Sequence, residues 1–286
     1  MSIIVEGPPD ILVRPLVEAA LREDLGRAGD ITTDALIPAD LMAEGVIAAR
    51  DPGAVSGTRV AAMAFALIDP AFRCEILKPD GSRVAPGDVV MRLSGRARCM
   101  LTAERVALNF LGRLCGIATA TAVIADAIRG SGCAITCTRK TTPGLRLLEK
   151  AAVRAGGGAN HRFGLDDAVL IKDNHIALAG GVVPAIRAAQ AHVGHLVKIE
   201  VEVDTLAQLE EAMTAGPDAV LLDNMTPDQL RTAVGIVGGR AITEASGRIT
   251  AETAPAIAAT GVDLMSAGWL THSSKVLDLG LDMAAA

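Results

Sequence analysis

The chain reads as an α/β protein in two parts: a mixed region with an antiparallel sheet, then a parallel βα barrel. Three observations predict this. From Cys133 onward, short apolar runs alternate with helical stretches, which calls for parallel strands joined by crossover helices. Before that point, strand-like runs are broken by PDG, APGD and SG turns, which suit antiparallel pairing. In the second half, polar residues stand at the end of every strand. A closed barrel fits that distribution better than an open sheet, which would gather them at one switch point.

The first part begins with an amphipathic pattern over Pro15–Leu25, with Leu16, Ala19, Ala20 and Glu23 spaced along it, and GRAGDITT ends it in Gly and turn formers. AEGVIAAR is a strand, DPGAVSG a turn, and Thr58–Ile68 a helix. FRCEILKPDGSRVAPGDVVMRLSGRARCML then gives short strands. A helix opens at Thr102, where Glu104 suits the first turn, and a second runs to about Ile128. The domain boundary is placed near Cys115 to Ile117, giving 1–115 and 116–273, with a C-terminal tail 274–286 that can pack on the first part.

The second part contains CAITC, AVLI, VKIEVEV, AVLL, RAITEA and VDLMS as six strands, with five linking helices. PGLRLLEKAAVRAG is the first of these helices, stopped by Gly156, and its Glu149 and Lys150 read as a solvated face.

Composition narrows the function. The net charge is -6 and aromatics are scarce, with one Trp, four Phe and no Tyr, which disfavours nucleic acid and anionic membranes as partners. The five cysteines form no CxxC pair and read as buried thiols of a reducing, cytoplasmic protein. MSIIVEGPPD lacks a basic, apolar signal pattern, and no apolar segment reads as long and uncharged enough to span a membrane.

Against this acidic background, Arg139, Lys140, His161, Arg162, Lys172 and His175 gather between Thr138 and His175. Arg139, Lys140 and Lys172 directly follow strands, where ligands bind in α/β proteins, so a small polyanion is the expected ligand. In VKIEVEV, Val197, Ile199, Val201 and Val203 alternate with Lys198, Glu200, Glu202 and Asp204. A charged face on a covered strand is costly unless it lines a site; the competing reading is an edge strand in water. Asp223 ends the next strand. With Glu202 it can hold a magnesium ion or stabilise a cationic ribosyl transition state, while a plain turn role competes. Ser-Gly in EASGRIT and Ala-Gly in MSAGWLTHS are candidate phosphate turns, weak singly and stronger as neighbours. Trp269 reads as packing, and His161 is balanced between structure and site.

TRKTTPG, GGANHR, VLIKDNH, EVEV, LLDNM, EASG and LTHS, together with EDLGRAGDITT and TAERVALNFL, resemble quinolinate phosphoribosyltransferases over nearly the whole chain. The resemblance implies an N-terminal α/β sandwich and an incomplete α/β barrel, working as a homodimer or a multiple of one. It implies transfer from phosphoribosyl pyrophosphate to quinolinate, with decarboxylation and magnesium, in NAD biosynthesis. Arg139, His161, Arg162 and Lys172 would hold the quinolinate carboxylates, with Arg105 entering from the partner subunit. Lys140, Glu202 and Asp223 would face phosphoribosyl pyrophosphate and its magnesium, and Ser246, Gly247, Gly268 and His272 would surround phosphate. Arg248 replaces the small residue or Asn of many relatives, which puts the width of that loop in question. Other readings stay open: a molybdenum-operon paralogue of the same fold, which departs from the family at VLIKDNH where this chain does not; a Schiff-base aldolase using Lys172; and a non-catalytic phosphate-binding barrel.

Overall fold

The computed structural model describes residues 7–283, which divide into two units. The N-terminal signal reading therefore falls largely outside the described residues. The first unit takes the chain up to Ala122, Thr141–Gly157 and the segment from Leu270 onward; the second takes Val123–Lys140 and Gly158–Trp269.

In the first unit, helices α1 (Asp10–Leu25), α2 (Ile31–Leu36) and α3 (Thr58–Ile68) accompany strands β1 (Met42–Ala49), β2 (Gly53–Ala54), β3 (Arg73–Ile76), β4 (Arg83–Val84) and β5 (Val89–Arg96). The main sheet is antiparallel, as the turn chemistry predicts. Its order is β12-β1-β5-β3, where β12 (Leu279–Met283) comes from the C-terminal tail and pairs Ala49 with Leu279. Two local readings are corrected. Helix α1 starts at Asp10, carries Pro15 inside it and buries Val13, Val17 and Leu21 rather than the Leu16–Ala19 face. Proline near a helix start removes only one bond of the ladder, at an exposed end. DITT also starts α2 instead of merely ending α1: the Asp30 carboxylate accepts the Thr33 amide at 2.9 Å and caps it.

The largest correction concerns α4 (Ala97–Ala127), one helix of 31 residues where two were expected, beginning before Thr102. The Thr102 hydroxyl lies inside it and donates to Asp30. By length and composition α4 is apolar enough to cross a membrane, contrary to the sequence reading. Met100, Ala103, Leu111, Ile117 and Ala118 are nevertheless fully buried in the fold. Gly116, inside the helix, is a point of close approach. A Cβ there would fall 1.9 Å from the Lys275 carbonyl oxygen.

Helix α5 (Arg146–Ala155) also belongs to this unit. Glu149 and Lys150 are fully buried, so the solvated-face reading is wrong. A charge can be buried only with partners. The Glu149 carboxylate takes Arg113 Nη2 at 2.8 Å, the Thr142 hydroxyl at 2.7 Å and the Thr142 amide at 3.0 Å.

The second unit is a six-stranded parallel sheet of β6 (Ala134–Thr136), β7 (Val169–Ile171), β8 (Ile199–Val203), β9 (Ala219–Asp223), β10 (Ile242–Ser246) and β11 (Leu264–Ser266). Its order is β6-β11-β10-β9-β8-β7. The first strand thus lies beside the last, as in a barrel. Between β6 and β7 only a Thr136–Ala159 bridge is formed among the described residues, so the ring is incomplete. Helices α6 (Asp173–Ala179), α7 (Val182–His192), α8 (Leu206–Ala215), α9 (Pro227–Val237) and α10 (Ala254–Ala258) link the strands, and α11 (Trp269–His272) follows the last. The sequence reading missed α6. Thr205 and Thr226 cap α8 and α9, each paired with a glutamine three residues on. Ile199, Val201 and Val203 are buried on one face of β8. Glu200 and Glu202 take the other, and β8 lies between β7 and β9, which removes the edge-strand reading.

Candidate active site

The strand register stacks the polar residues of the second unit in rows. Glu202 pairs with Leu221 and Leu221 with Glu244; one step on, Asp223 pairs with Ser246 and Ser246 with Ser266. Partners in a parallel pair project to the same face. Glu200 and Glu244 sit two strands apart, roughly 9–10 Å in a flat sheet. Both nevertheless reach His161: Nε2 is 2.8 Å from Glu200 Oε2 and 3.8 Å from Glu244 Oε1. This face is therefore concave, and the polar rows converge in it.

Against the acids stand cations supplied by loops. Arg139 and Lys140 follow β6; the Lys140 amide donates to the Thr138 hydroxyl at 3.0 Å. Arg162 lies in the loop before β7. Its Nη1 donates to the Ala168 carbonyl at 3.0 Å and its own amide donates to His161 Nδ1 at 2.8 Å. Burial, then the neighbouring Arg139 charge, push the Arg162 pKa down, with Asp167 and Glu200 acting the other way. The loop is clasped by Asp167, which accepts the Phe163 and Gly164 amides at 2.6 and 2.9 Å. Burial opposes ionisation of Asp167, yet these amides hold its pKa below the ordinary value. Most informative are the Nε–H groups of Arg139 and Arg162: both are buried and neither has a hydrogen-bond partner. A buried guanidinium N–H without an acceptor is costly, and an incoming anion would satisfy it.

Lys172 caps α6, and its amide donates to His175 Nδ1 at 3.0 Å. Its ammonium pairs with Glu202 Oε2 at 2.7 Å. At the end of β9, Asp223 accepts the Asn224 side-chain amide at 2.6 Å, and the Asn224 amide donates to the Ser246 carbonyl at 2.9 Å. Gly247 has φ +104°, and a Cβ there would lie 2.3 Å from Asn224 Oδ1, so the Ser-Gly turn requires glycine. Arg248, the next residue, itself adopts a left-handed backbone, φ 49°. Gly268 closes the row after β11. Trp269 packs as expected, its Nε1–H donating to the Ile249 carbonyl at 2.8 Å.

Two predicted residues lie in the first unit. Arg105 is exposed on α4, and His272, also exposed, has Nδ1 against the Ser273 hydroxyl. None of the five cysteines forms a disulfide; burial pushes Cys115 up to about 12, so it is no nucleophile at neutral pH.

Two donor sets invite a metal. The ligand atoms of His161, Glu200 and Glu244 lie within 4.8 Å of one another. However, His161 Nδ1 accepts the Arg162 amide, so the ring hydrogen sits on Nε2 and points at Glu200, which is a hydrogen bond rather than a ligand set. Glu202 and Asp223 offer only hard carboxylate oxygens at the ends of neighbouring strands, the donor type magnesium prefers, and one Glu202 oxygen is already paired with Lys172.

Models of the N-terminal and C-terminal domains of quinolinate phosphoribosyl transferase match residues 30–115 and 117–282. The chain belongs to the quinolinate phosphoribosyl transferase family. Within it, the carboxylating nicotinate-nucleotide pyrophosphorylase of Mycobacterium leprae is 44% identical over 278 residues, covering 94% of this chain and 96% of that one. The chloroplastic enzyme of that name from Arabidopsis thaliana is 40% identical, covering 98% and 85%. The solved nicotinate-nucleotide pyrophosphorylase of Francisella tularensis superposes with a TM-score of 0.93 at 37% identity, covering 99% of this chain and all of that one.

For this phosphoribosyl transferase, sequence reasoning passed over Glu244 and took Glu202 from EVEV without Glu200. Each interrupts a buried strand, and that interruption was the available signal. Asn224, whose left-handed backbone (φ 53°) shapes the mouth, carried no sequence signal beyond following a strand.

Proposed function

We propose that the chain transfers the phosphoribosyl group of phosphoribosyl pyrophosphate to quinolinate and decarboxylates the product, giving nicotinate mononucleotide, pyrophosphate and carbon dioxide. The observation that carries this reading is the pair of buried Arg139 and Arg162 Nε–H groups that lack acceptors. With Lys172 they form a cationic acceptor pocket suited to two carboxylates, and His161 flanks it. The quinolinate ring nitrogen bonds to the anomeric carbon as the bond to pyrophosphate breaks and its electron pair leaves with pyrophosphate. The developing positive charge on the ribosyl carbon is met by carboxylates, and Lys140 faces the departing phosphates. Glu202 and Asp223 would hold magnesium, whose contribution when bound is to neutralise the pyrophosphate oxygens. Ser246, Gly247 and Gly268 line the phosphate end. In the second step the bond between ring and carboxylate breaks, its electron pair stays on the ring carbon beside the cationic nitrogen, and a proton replaces the lost carbon dioxide.

Incubation with quinolinate, phosphoribosyl pyrophosphate and magnesium should release nicotinate mononucleotide and carbon dioxide in equal amounts. Comparable turnover of nicotinate, with its single carboxylate, would sink the assignment. No carbonyl substrate should be trapped on Lys172 by borohydride, which separates this reading from an aldolase.

The working form in this reading is a homodimer in which Arg105 reaches the acceptor pocket of the other subunit. In a two-fold dimer that exchange is mutual. Arg105→Ala and Lys172→Ala proteins, each nearly inactive, should regain roughly a quarter of wild-type activity after dissociation and random reassociation. Verified subunit exchange with no recovery would place Arg105 outside the site.

A further inference from the structure

We propose that Glu200 is a positioning residue of the acceptor pocket. It accepts the Nε2 hydrogen of a neutral His161 and so fixes the ring, which through Nδ1 fixes the Arg162 peptide. His161 thereby aligns the arginine, its one hydrogen turned to Glu200 rather than to substrate. The inference rests on the proposed acceptor pocket and assigns part of its specificity to a carboxylate that orients the cations.

The geometry leaves little choice of tautomer. A backbone amide can only donate, and the Arg162 amide donates to His161 Nδ1 at 2.8 Å. That nitrogen therefore offers a lone pair and carries no hydrogen, which leaves a neutral ring with a single N–H on Nε2. Glu200 Oε2 takes it at 2.8 Å, and Glu244 Oε1 stands 3.8 Å away. The side chains of His161 and Glu200 are 12% exposed and that of Glu244 is 2% exposed, so water competes little for the His161–Glu200 bond. The ring's one hydrogen is thus committed before any ligand arrives.

The loop that carries Arg162 is anchored at three points: His161 Nδ1 on its amide, Ala168 on its Nη1, and Asp167 on the next two amides. Its remaining Nε–H stays open. Glu200 also acts electrostatically on Arg162, favouring its charged form against burial and Arg139. Glu200 therefore has two effects. It favours the charged Arg162 beside Arg139 while the pocket is empty, and it keeps the imidazole rigid so that Arg162 meets a carboxylate in one orientation.

Two measurements on the intact protein test this. In ¹⁵N-histidine NMR, with His161→Gln used to assign the signal, the wild-type His161 ring should show the hydrogen on Nε2 and an unprotonated Nδ1. Glu200→Ala should keep the hydrogen on Nε2, because the Arg162 amide still occupies Nδ1, but that hydrogen should exchange faster with water once its acceptor is gone. Glu200→Ala should also raise the quinolinate KM at least about tenfold, the loss expected when the ring no longer aligns the charge-assisted bond of Arg162 to the ligand. The KM for phosphoribosyl pyrophosphate should stay within about twofold. Glu200→Gln keeps a carbonyl that can accept the hydrogen, and should recover the greater part of the loss. A wild-type ring protonated on Nδ1 overturns the proposal. So does an unchanged quinolinate KM in Glu200→Ala, or a parallel rise of both KM values with a lower Tm, which would mark a purely structural role. If wild-type protein turns over no quinolinate, the proposed function fails while the NMR result still decides the tautomer.

Discussion

Arg113 in the first unit and Arg162 in the second are both largely buried arginines near glutamates, yet their hydrogen bonding is opposite. Arg113 donates through Nε and Nη2 to Glu149, through Nη1 to the Ser274 carbonyl, and again through Nη2 to the Thr271 carbonyl. Glu149 takes two further bonds from Thr142. Each donor nitrogen of Arg113 is answered within the fold. Arg162 is answered at Nη1 and left open at Nε, as is Arg139 beside it. Residue type and burial alone do not separate structure from site; unfilled hydrogen-bonding capacity does. A fully satisfied buried pair holds elements together, whereas an incompletely satisfied one is kept at some cost because a ligand completes it.

Substituting each arginine or its partner would break this comparison if it is wrong. Glu149→Ala leaves Arg113 buried without its anion and should cost about 3–5 kcal/mol of stability, read from chemical denaturation. Its effect on activity should follow from the folded fraction. Arg162→Ala should do the reverse, weakening quinolinate binding by about 2–5 kcal/mol while stability holds or rises, because Arg139 loses a like-charged neighbour. Equal destabilisation by both would erase the distinction.

A smaller effect sharpens the contrast inside the second unit. Asp218 pairs with Lys198 at 2.6 Å and accepts the Ile199 amide at 2.9 Å, a satisfied group at the opposite end of β8 from the site. Burial acts to raise its pKa, but Lys198 and that amide bring it below the ordinary 3.8. A depressed carboxyl contributes stability that is present above its unfolded pKa and lost as pH falls through the folded value. Asp218→Asn should therefore cost at most about 1 kcal/mol at pH 7, discounted because Lys198 is exposed, and the difference should shrink in acid. Urea midpoints at neutral and acid pH measure it. A difference that grows on acidification would contradict the sign.

Much of this architecture was legible in the residues, and the failures have physical causes. The βα alternation after Cys133 and the PDG and APGD turns before it are local signals, and they gave both sheets. The alternating acids of β8 were legible as a charged face on a covered strand, and β8 does lie between β7 and β9. Glu149 and Lys150 look identical in sequence to any solvated helix face. The burial of Glu149 depends on Arg113, itself held by Thr271 from far along the chain, which no local pattern carries. The two helices expected between Thr102 and Ile128 are one, and the reason for a glycine at 116 lies in the tail: a Cβ there would meet the Lys275 carbonyl, which no local pattern carries. His161 was undecided in sequence for a related reason: the carboxylates that stand around its ring, Glu200 and Glu244, come from two different strands far along the chain.

Calorimetry of quinolinate and nicotinate binding to wild-type and Arg162→Ala protein tests the central claim most directly. If the open guanidinium groups are held for a second carboxylate, wild-type protein should bind quinolinate at least about 100-fold more tightly than nicotinate, the equivalent of roughly 3 kcal/mol. Arg162→Ala should remove most of that preference. Equal affinities in the wild-type protein, or a preference untouched by the substitution, would contradict the account.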